Sequence, residues 1–383
     1  MNKQHLSRKQ IYSLLTITII FPFTIMGCSE KNNDFASIKP ASLVIKADKA
    51  DVSIPAAASF EVKTTASRPA AFVAPTSSTA VPKTKDAKPP KPTAPKINYN
   101  AGEDPDYAKK CGWPVKCPPV LPGSILPHKR IVAYYGNPLS KKMGALGEFP
   151  KDEMLRRLKG EVARWQKADP ATPVQPALHL IAVVAQGEPG KAGKYRMVIP
   201  DKIVNEVYAM AKEANALLFI DIQTGHDNIR TILPRFEWLL KNPDVHLGID
   251  PEFNLIKSGA KPGKKIGTYD AEDINYASGY LRDLVKKYNL PPKVFTVHRF
   301  TQNGVTNASK IALHPEVQIV MHMDGWGAPW LKRDSYKAYI VTQPVQYTGF
   351  KLFYHNDTKK GDPLLTPQEV LKLNPKPLYI QYQ

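Results

Sequence analysis

The chain has 383 residues, a formal net charge of +19, 43% hydrophobic residues and 36 prolines. It holds enough apolar residues for one sizeable core, which excludes a wholly disordered protein, and its basic balance suits an anionic partner: phospholipid, acidic glycan or nucleic acid. No basic stretch interleaved with aromatic residues of the RNA-binding kind occurs, and the export signal at the N-terminus argues against nucleic acid as a partner.

Lys3, Arg8 and Lys9 precede the apolar run "IYSLLTITIIFPFTIM", and Gly27 and Cys28 follow it. A basic start, a short apolar stretch and a small residue before the cut define a secretory signal. "Ile25-Met26-Gly27-Cys28" resembles a bacterial lipobox, in which the cysteine is acylated and becomes the mature N-terminus. The resemblance implies a signal peptide over 1–27 and a membrane anchor at Cys28, placing the protein in the cell envelope, facing the periplasm or exterior. Each buried CH₂ of an acyl chain contributes roughly 0.8 kcal/mol to such anchoring. Residues 28–105, poor in large apolar side chains and including "PKTKDAKPPKPTAPK", read as a disordered tether, because such a segment buries too little apolar surface to offset its ordering entropy. In the short lead-in 106–128, Cys111 and Cys117 are the even remainder of three cysteines; in an oxidising compartment this predicts a disulfide. No second Cys/His pair stands nearby at zinc-finger spacing.

From residue 129 to 383 short β-rich runs alternate with amphipathic stretches, the pattern of βαβ units around a parallel sheet. Strands are expected at 130–136, 177–186, 216–223, 245–253, 293–300, 317–324, 350–357 and 377–383, with 337–343 as a ninth candidate. Helices are expected between them. Leu155, Leu158, Val162 and Trp165 share one face, as do Ile274, Ala277, Leu281, Leu284 and Val285 behind the cap Asp270. Asp201 is read as an N-cap, Thr366 with Glu369 as a capping box, and Pro234 as a kink or restart. Eight strands in about 250 residues match a (β/α)₈ TIM-like barrel. An open doubly wound sheet is the alternative, although no G-x-G-x-x-G or G-x-x-x-x-G-K-[ST] occurs.

In a barrel of this kind the active site lies at the C-terminal ends of the strands. Polar residues gather there in this sequence: Asp221 and Gln223, Asp250 and Glu252, His298, His322 and Asp324. Because residues i and i+2 of a strand share a face, Asp250 and Glu252 should point into one mouth. Two like charges held close push their pKa values apart and provide an acid beside a base, the division of labour that glycoside hydrolysis requires. Tyr134, Trp326 and Tyr354 are candidate sugar platforms. Each of these residues has a plain structural alternative: a capped loop, a hydrogen-bonded core histidine or a core aromatic.

"IVAYYGNP" and "GIDPEF" resemble the first strand and the D-x-E end of the fourth strand of the chitinase-like glycoside hydrolases of family 18. Family 25 muramidases carry a D-x-E on the same strand. The resemblance implies Glu252 as general acid, Asp250 as the group that orients substrate or stabilises charge, and an amino-sugar glycan as substrate. His246 and Gly248 stand where the longer chitinase motif has acidic residues, and strand one lacks the aspartate of the muramidases. A glycan-binding or scaffold lipoprotein on the same barrel is therefore the alternative. A metal-dependent hydrolase ranks last, because no H-x-H or H-E-x-x-H spacing occurs, and neither cofactor nor metal is expected.

Overall fold

The computed structural model describes residues 97–383. The expected signal peptide 1–27, Cys28 and the tether as far as residue 96 lie outside them. Among the described residues no helix is long and apolar enough to cross a membrane.

Eight parallel strands close on themselves: β1 Arg130–Gly136, β2 Val174–Ala185, β3 Leu217–Ile222, β4 Val245–Ile249, β5 Lys293–Arg299, β6 Val317–Met323, β7 Tyr347–Leu352 and β8 Tyr379–Tyr382. Each pairs with its sequence neighbours, and β1 pairs with both β2 and β8, so the sheet has no open edge. This is the expected (β/α)₈ barrel and not an open doubly wound sheet. Closure explains the near-continuous apolar runs, since a strand covered by helices outside and filled inside has no solvent face. A short strand, Arg196–Val198, extends β2 as an antiparallel flap.

The helix Lys151–Ala168 buries Met154, Leu158 and Trp165 against the strands. Ala271–Tyr288 buries all five predicted face residues behind Asp270, whose side chain accepts from the Glu272 N–H, and ends on Asn289 at φ 49°. The capping box at Thr366 and Glu369 forms as read. Asp201 occupies the first turn of Asp201–Glu213, with Pro200 in the cap position. Pro234 splits its helix into Ile229–Ile232, a 3₁₀ segment Leu233–Phe236 and Glu237–Leu240. The ninth strand candidate, 337–343, is helical: Lys337–Val341 continue Pro329–Tyr336 as a π turn. Between β5 and β6 the 3₁₀ segments Gln302–Gly304 and Ala308–Lys310 flank a two-residue strand, Val305–Thr306, which pairs with Tyr269–Asp270.

The lead-in is packed slightly upstream of the expected boundary at 105: Gly102 and Glu103 are buried, and Asp104 caps the helix Pro105–Lys110. Further on, Leu126 inserts into the barrel's N-terminal end beside Ile131, Ala177 and Val294, and Gln318 Oε1 accepts from the Ile125 and Leu126 N–H groups. Cys111 and Cys117 are free thiols here, not the expected disulfide. Cys111 closes the short helix. Between the two cysteines Trp113 is buried, its indole N–H bonded to the Val341 carbonyl at 3.0 Å, and the extended chain beyond it leaves Cys117 exposed.

Candidate active site at the barrel mouth

Strand parity sorts the interior into two zones. Near the N-terminal end Ile131, Ala133, Ala177, Leu217, Phe219, Val294, Val320 and Tyr379 form an apolar floor over Leu126. His246 belongs to this floor, its ring tilted against that of Phe219 at 5.1 Å between centroids, and accepts from the Val294 N–H at 3.1 Å. One step further along the strands the inward positions turn polar: Tyr135, His179, Asp221, His298, His322, Lys351 and Gln381, each at most 3% exposed. Inward positions on β4 and β7 carry glycines, and these make room for the histidines. A Cβ at Gly248 would collide with His179 Nε2 and lie 2.8 Å from Asp221 Oδ1, and one at Gly349 would collide with His322 Nδ1.

The polar zone is cross-linked. Tyr135 donates to Asp221 Oδ2 at 2.7 Å. His179 Nδ1 lies 2.6 Å from the Tyr379 hydroxyl, and Gln381 Nε2 stands 3.0 Å from the same nitrogen. His298 Nδ1 meets Asp324 Oδ2 at 2.9 Å, while Lys351 Nζ stands 2.8 Å from Asp324 Oδ1 and 3.9 Å over the Tyr135 ring. Nearer the rim Gln223 donates to Asp250 Oδ2 at 3.2 Å and accepts from the Ala185 N–H at 3.0 Å.

Burial and charge set the protonation states. Burial opposes ionisation of Asp324, but Lys351 and His298 outweigh it and hold the carboxyl well below its usual range. Asp221 is likewise held low against burial, by His298 and His179. Burial disfavours a charged His298, yet the two carboxylates beside it raise its pKa. Burial pushes His179 down to about 4. The rim carboxyls shift the other way. Burial, with Asp221 and Asp324 nearby, pushes Asp250 up to about 7; burial and Asp250 push Glu252 up to about 8. The mouth thus pairs ionised carboxylates, balanced by cations, with two carboxyls that keep their protons close to neutral pH.

Asp221, Gln223, Asp250, His298 and Asp324 all reach this interior. Glu252 arrives there differently from the parity argument. The strand stops at Ile249, Pro251–Phe253 form a 3₁₀ turn capped by Asp250, and Glu252 sits on that turn at the rim, half-buried. Pro251 has no N–H for the ladder, which ends the strand. Tyr134 and Tyr354 are not at the mouth. Tyr134 points outward, its hydroxyl 3.0 Å from that of Tyr354, and the Tyr354 hydroxyl donates to Glu161 of the outer helix. The seventh strand ends at Leu352, earlier than expected, so Lys351 is its inward polar residue and Tyr354 lies beyond it. Trp326 is half-buried on the loop after β6. His179, Lys351, Gln381 and the inward-facing Tyr135 complete the site. Tyr135, Lys351 and Gln381 stand one residue before the ends of their strands, whereas the signal for His179 is parity inside the apolar strand body "ALHLIAVVA".

Fold and site together define a (β/α)₈ barrel protein with a polar, multiply ionisable mouth at the strand C-termini, where barrel enzymes place their chemistry. No family model matches the chain, and no curated protein matches it. Among solved structures a noncanonic maltogenic alpha-amylase from Thermotoga neapolitana is similar at 14% identity and a TM-score of 0.23, over 59% of this chain and 50% of that one. The chain therefore spans half the length of that enzyme, and a likeness this loose defines neither family nor substrate.

Proposed function

We propose that the protein is a glycoside hydrolase of the cell envelope that cleaves an amino-sugar glycan by acid catalysis, held on a membrane through acylated Cys28. One observation carries the reading. Glu252 stands half-buried at the rim of a carboxylate-lined mouth, beside Asp250, and among the described residues its carboxyl makes no hydrogen bond. Asp250, in contrast, is tied by Gln223 and by the Glu252 N–H at 3.3 Å. A carboxyl that keeps its proton and is free to move suits proton donation to a leaving oxygen. A fixed carboxyl beside it suits orientation of an acetamido group or stabilisation of positive charge. The basic chain would favour an anionic envelope polymer as partner.

The test compares wild type with Glu252→Gln on chitin oligomers and purified peptidoglycan, scored for product and for binding. Loss of a general acid costs about 10²–10⁴-fold in rate while binding is largely kept. Undiminished product from the variant removes Glu252 as the acid. Binding without product from either protein favours the second reading, a glycan-binding scaffold, which the His246 and Gly248 departures from the chitinase-like motif support. Membrane attachment is tested separately, by whether Cys28→Ala leaves the membrane fraction.

A further inference from the structure

We propose that His179, Asp221 and His298 form a binding site for one divalent first-row transition-metal ion, of the zinc, cobalt(II) or iron(II) class. The three residues come from β2, β3 and β5 and are fully buried. Their atoms His179 Nε2, Asp221 Oδ1 and His298 Nε2 face one another: the carboxylate oxygen is 3.7 Å from the first nitrogen and 3.8 Å from the second, and all three lie within 4.8 Å of one another. Nitrogen and oxygen donors about 2.0–2.2 Å from an ion are themselves roughly 3–4 Å apart. Both oxygen–nitrogen distances fall within that range, so the spacing admits one ion.

Two further observations point to a ligand. The first is that each of these three atoms is buried without a hydrogen-bond partner. An orphaned buried polar atom is costly, and three converging on one point are costlier unless something occupies it. The second is that the remaining polar atom of every ligand is already held. His179 Nδ1 meets the Tyr379 hydroxyl at 2.6 Å, His298 Nδ1 meets Asp324 Oδ2 at 2.9 Å, and Asp221 Oδ2 accepts from Tyr135 at 2.7 Å. Fixing the far nitrogen of a metal-bound imidazole, by a carboxylate above all, is how proteins set its tautomer and raise its basicity. Two imidazoles and one carboxylate also make a donor set suited to zinc or iron(II) with positions left open for a further ligand.

The geometry separates this triad from the neighbouring group of His298, His322 and Asp324. Asp324 already serves His298 with one oxygen and Lys351 with the other, so it acts as the partner of a ligand and not as a ligand. Gly248 contributes by absence of a side chain, since a Cβ there would fill the space against His179 Nε2 and Asp221 Oδ1. The triad is independent of the glycan reading, because it lies in the layer beneath the rim carboxyls and is tested without substrate.

The experiment uses the full-length protein, stripped with chelator and titrated with Zn²⁺ and Co²⁺. Expected are one equivalent of either ion bound, a rise in Tm, and a Co²⁺ visible spectrum of a nitrogen/oxygen site. Asp221→Ala and His298→Ala should each weaken binding on the order of a hundredfold or more, since loss of a mere supporting partner already costs about 10–100-fold. Should a variant fail to fold, X-ray absorption on the cobalt-loaded wild type decides: two imidazole ligands support the site. No bound equivalent, binding unchanged in both folded variants, or a wild-type spectrum without imidazole ligation would each overturn it and leave a buried water as the occupant.

Discussion

Tyr135 on β1 donates a 2.7 Å hydrogen bond to Asp221 on β3, reaching across the barrel interior past β2, the strand that separates them in the sheet. Both residues are buried, so the bond is charge-assisted in a medium of low dielectric. Tyr135→Phe keeps the ring and removes the donor, leaving Asp221 Oδ2 unpaired. The expected loss of stability is about 1–3 kcal/mol, read from urea unfolding at pH 7. An unchanged midpoint would mean that Asp221 does not depend on Tyr135.

The loops after β6 and β7 are pinned by a second buried pair. Lys332 Nζ lies 2.9 Å from Asp357 Oδ2 and also donates to the Gly325 carbonyl, while Asp357 accepts from the Gly327 and Phe353 N–H groups. Lys332→Met strands a buried carboxylate, and removing one partner of such a pair costs about 3–5 kcal/mol. The double variant Lys332→Met/Asp357→Leu should recover part of this loss. A double variant as unstable as the sum of the two single ones would show that the pair is not coupled.

Much of this architecture was legible because a closed parallel barrel buries every strand on both sides. Strand β1 matches its predicted limits, and β5 starts where predicted and stops one residue short at Arg299. The site is less legible in the sequence, for physical reasons. Pro251 within "GIDPEF" ends the strand, and that breaker outranks i, i+2 parity for Glu252. Tyr354 stands at the end of an apolar run, but inward Gly349 and Lys351 set the face of β7. His179, Asp221 and His298 lie on three different strands, so no local spacing such as H-x-H could have announced them.

The free cysteines give a direct check on the lead-in. In protein folded under oxidising conditions Cys111 and Cys117 should both react with a thiol reagent without reductant, the exposed Cys117 faster than the half-buried Cys111. A mass consistent with a bond between them, with neither thiol labelled, would require the segment around Trp113 to repack.

Glu252 links function to stability through its proton. Its pKa in the folded protein is raised to about 8 by burial and by Asp250, against an ordinary value of 4.5. Between those values the native state binds more protons than the unfolded chain, so the stability contributed by the protonated carboxyl is fully present below pH 4.5 and is lost as pH rises through about 8. The amide introduced by Glu252→Gln cannot titrate and removes this slope, while the parallel slope from Asp250, raised to about 7, remains. Relative to wild type the variant should therefore gain stability with pH, from near parity at pH ~5 to an advantage on the order of 1–3 kcal/mol at pH ~8.5. The measurement is Tm of both proteins across that range in the presence of chelator, so that no bound ion contributes. A difference that stays constant with pH would mean that Glu252 is ionised at the rim throughout, and it would remove the proton that the proposed acid step requires.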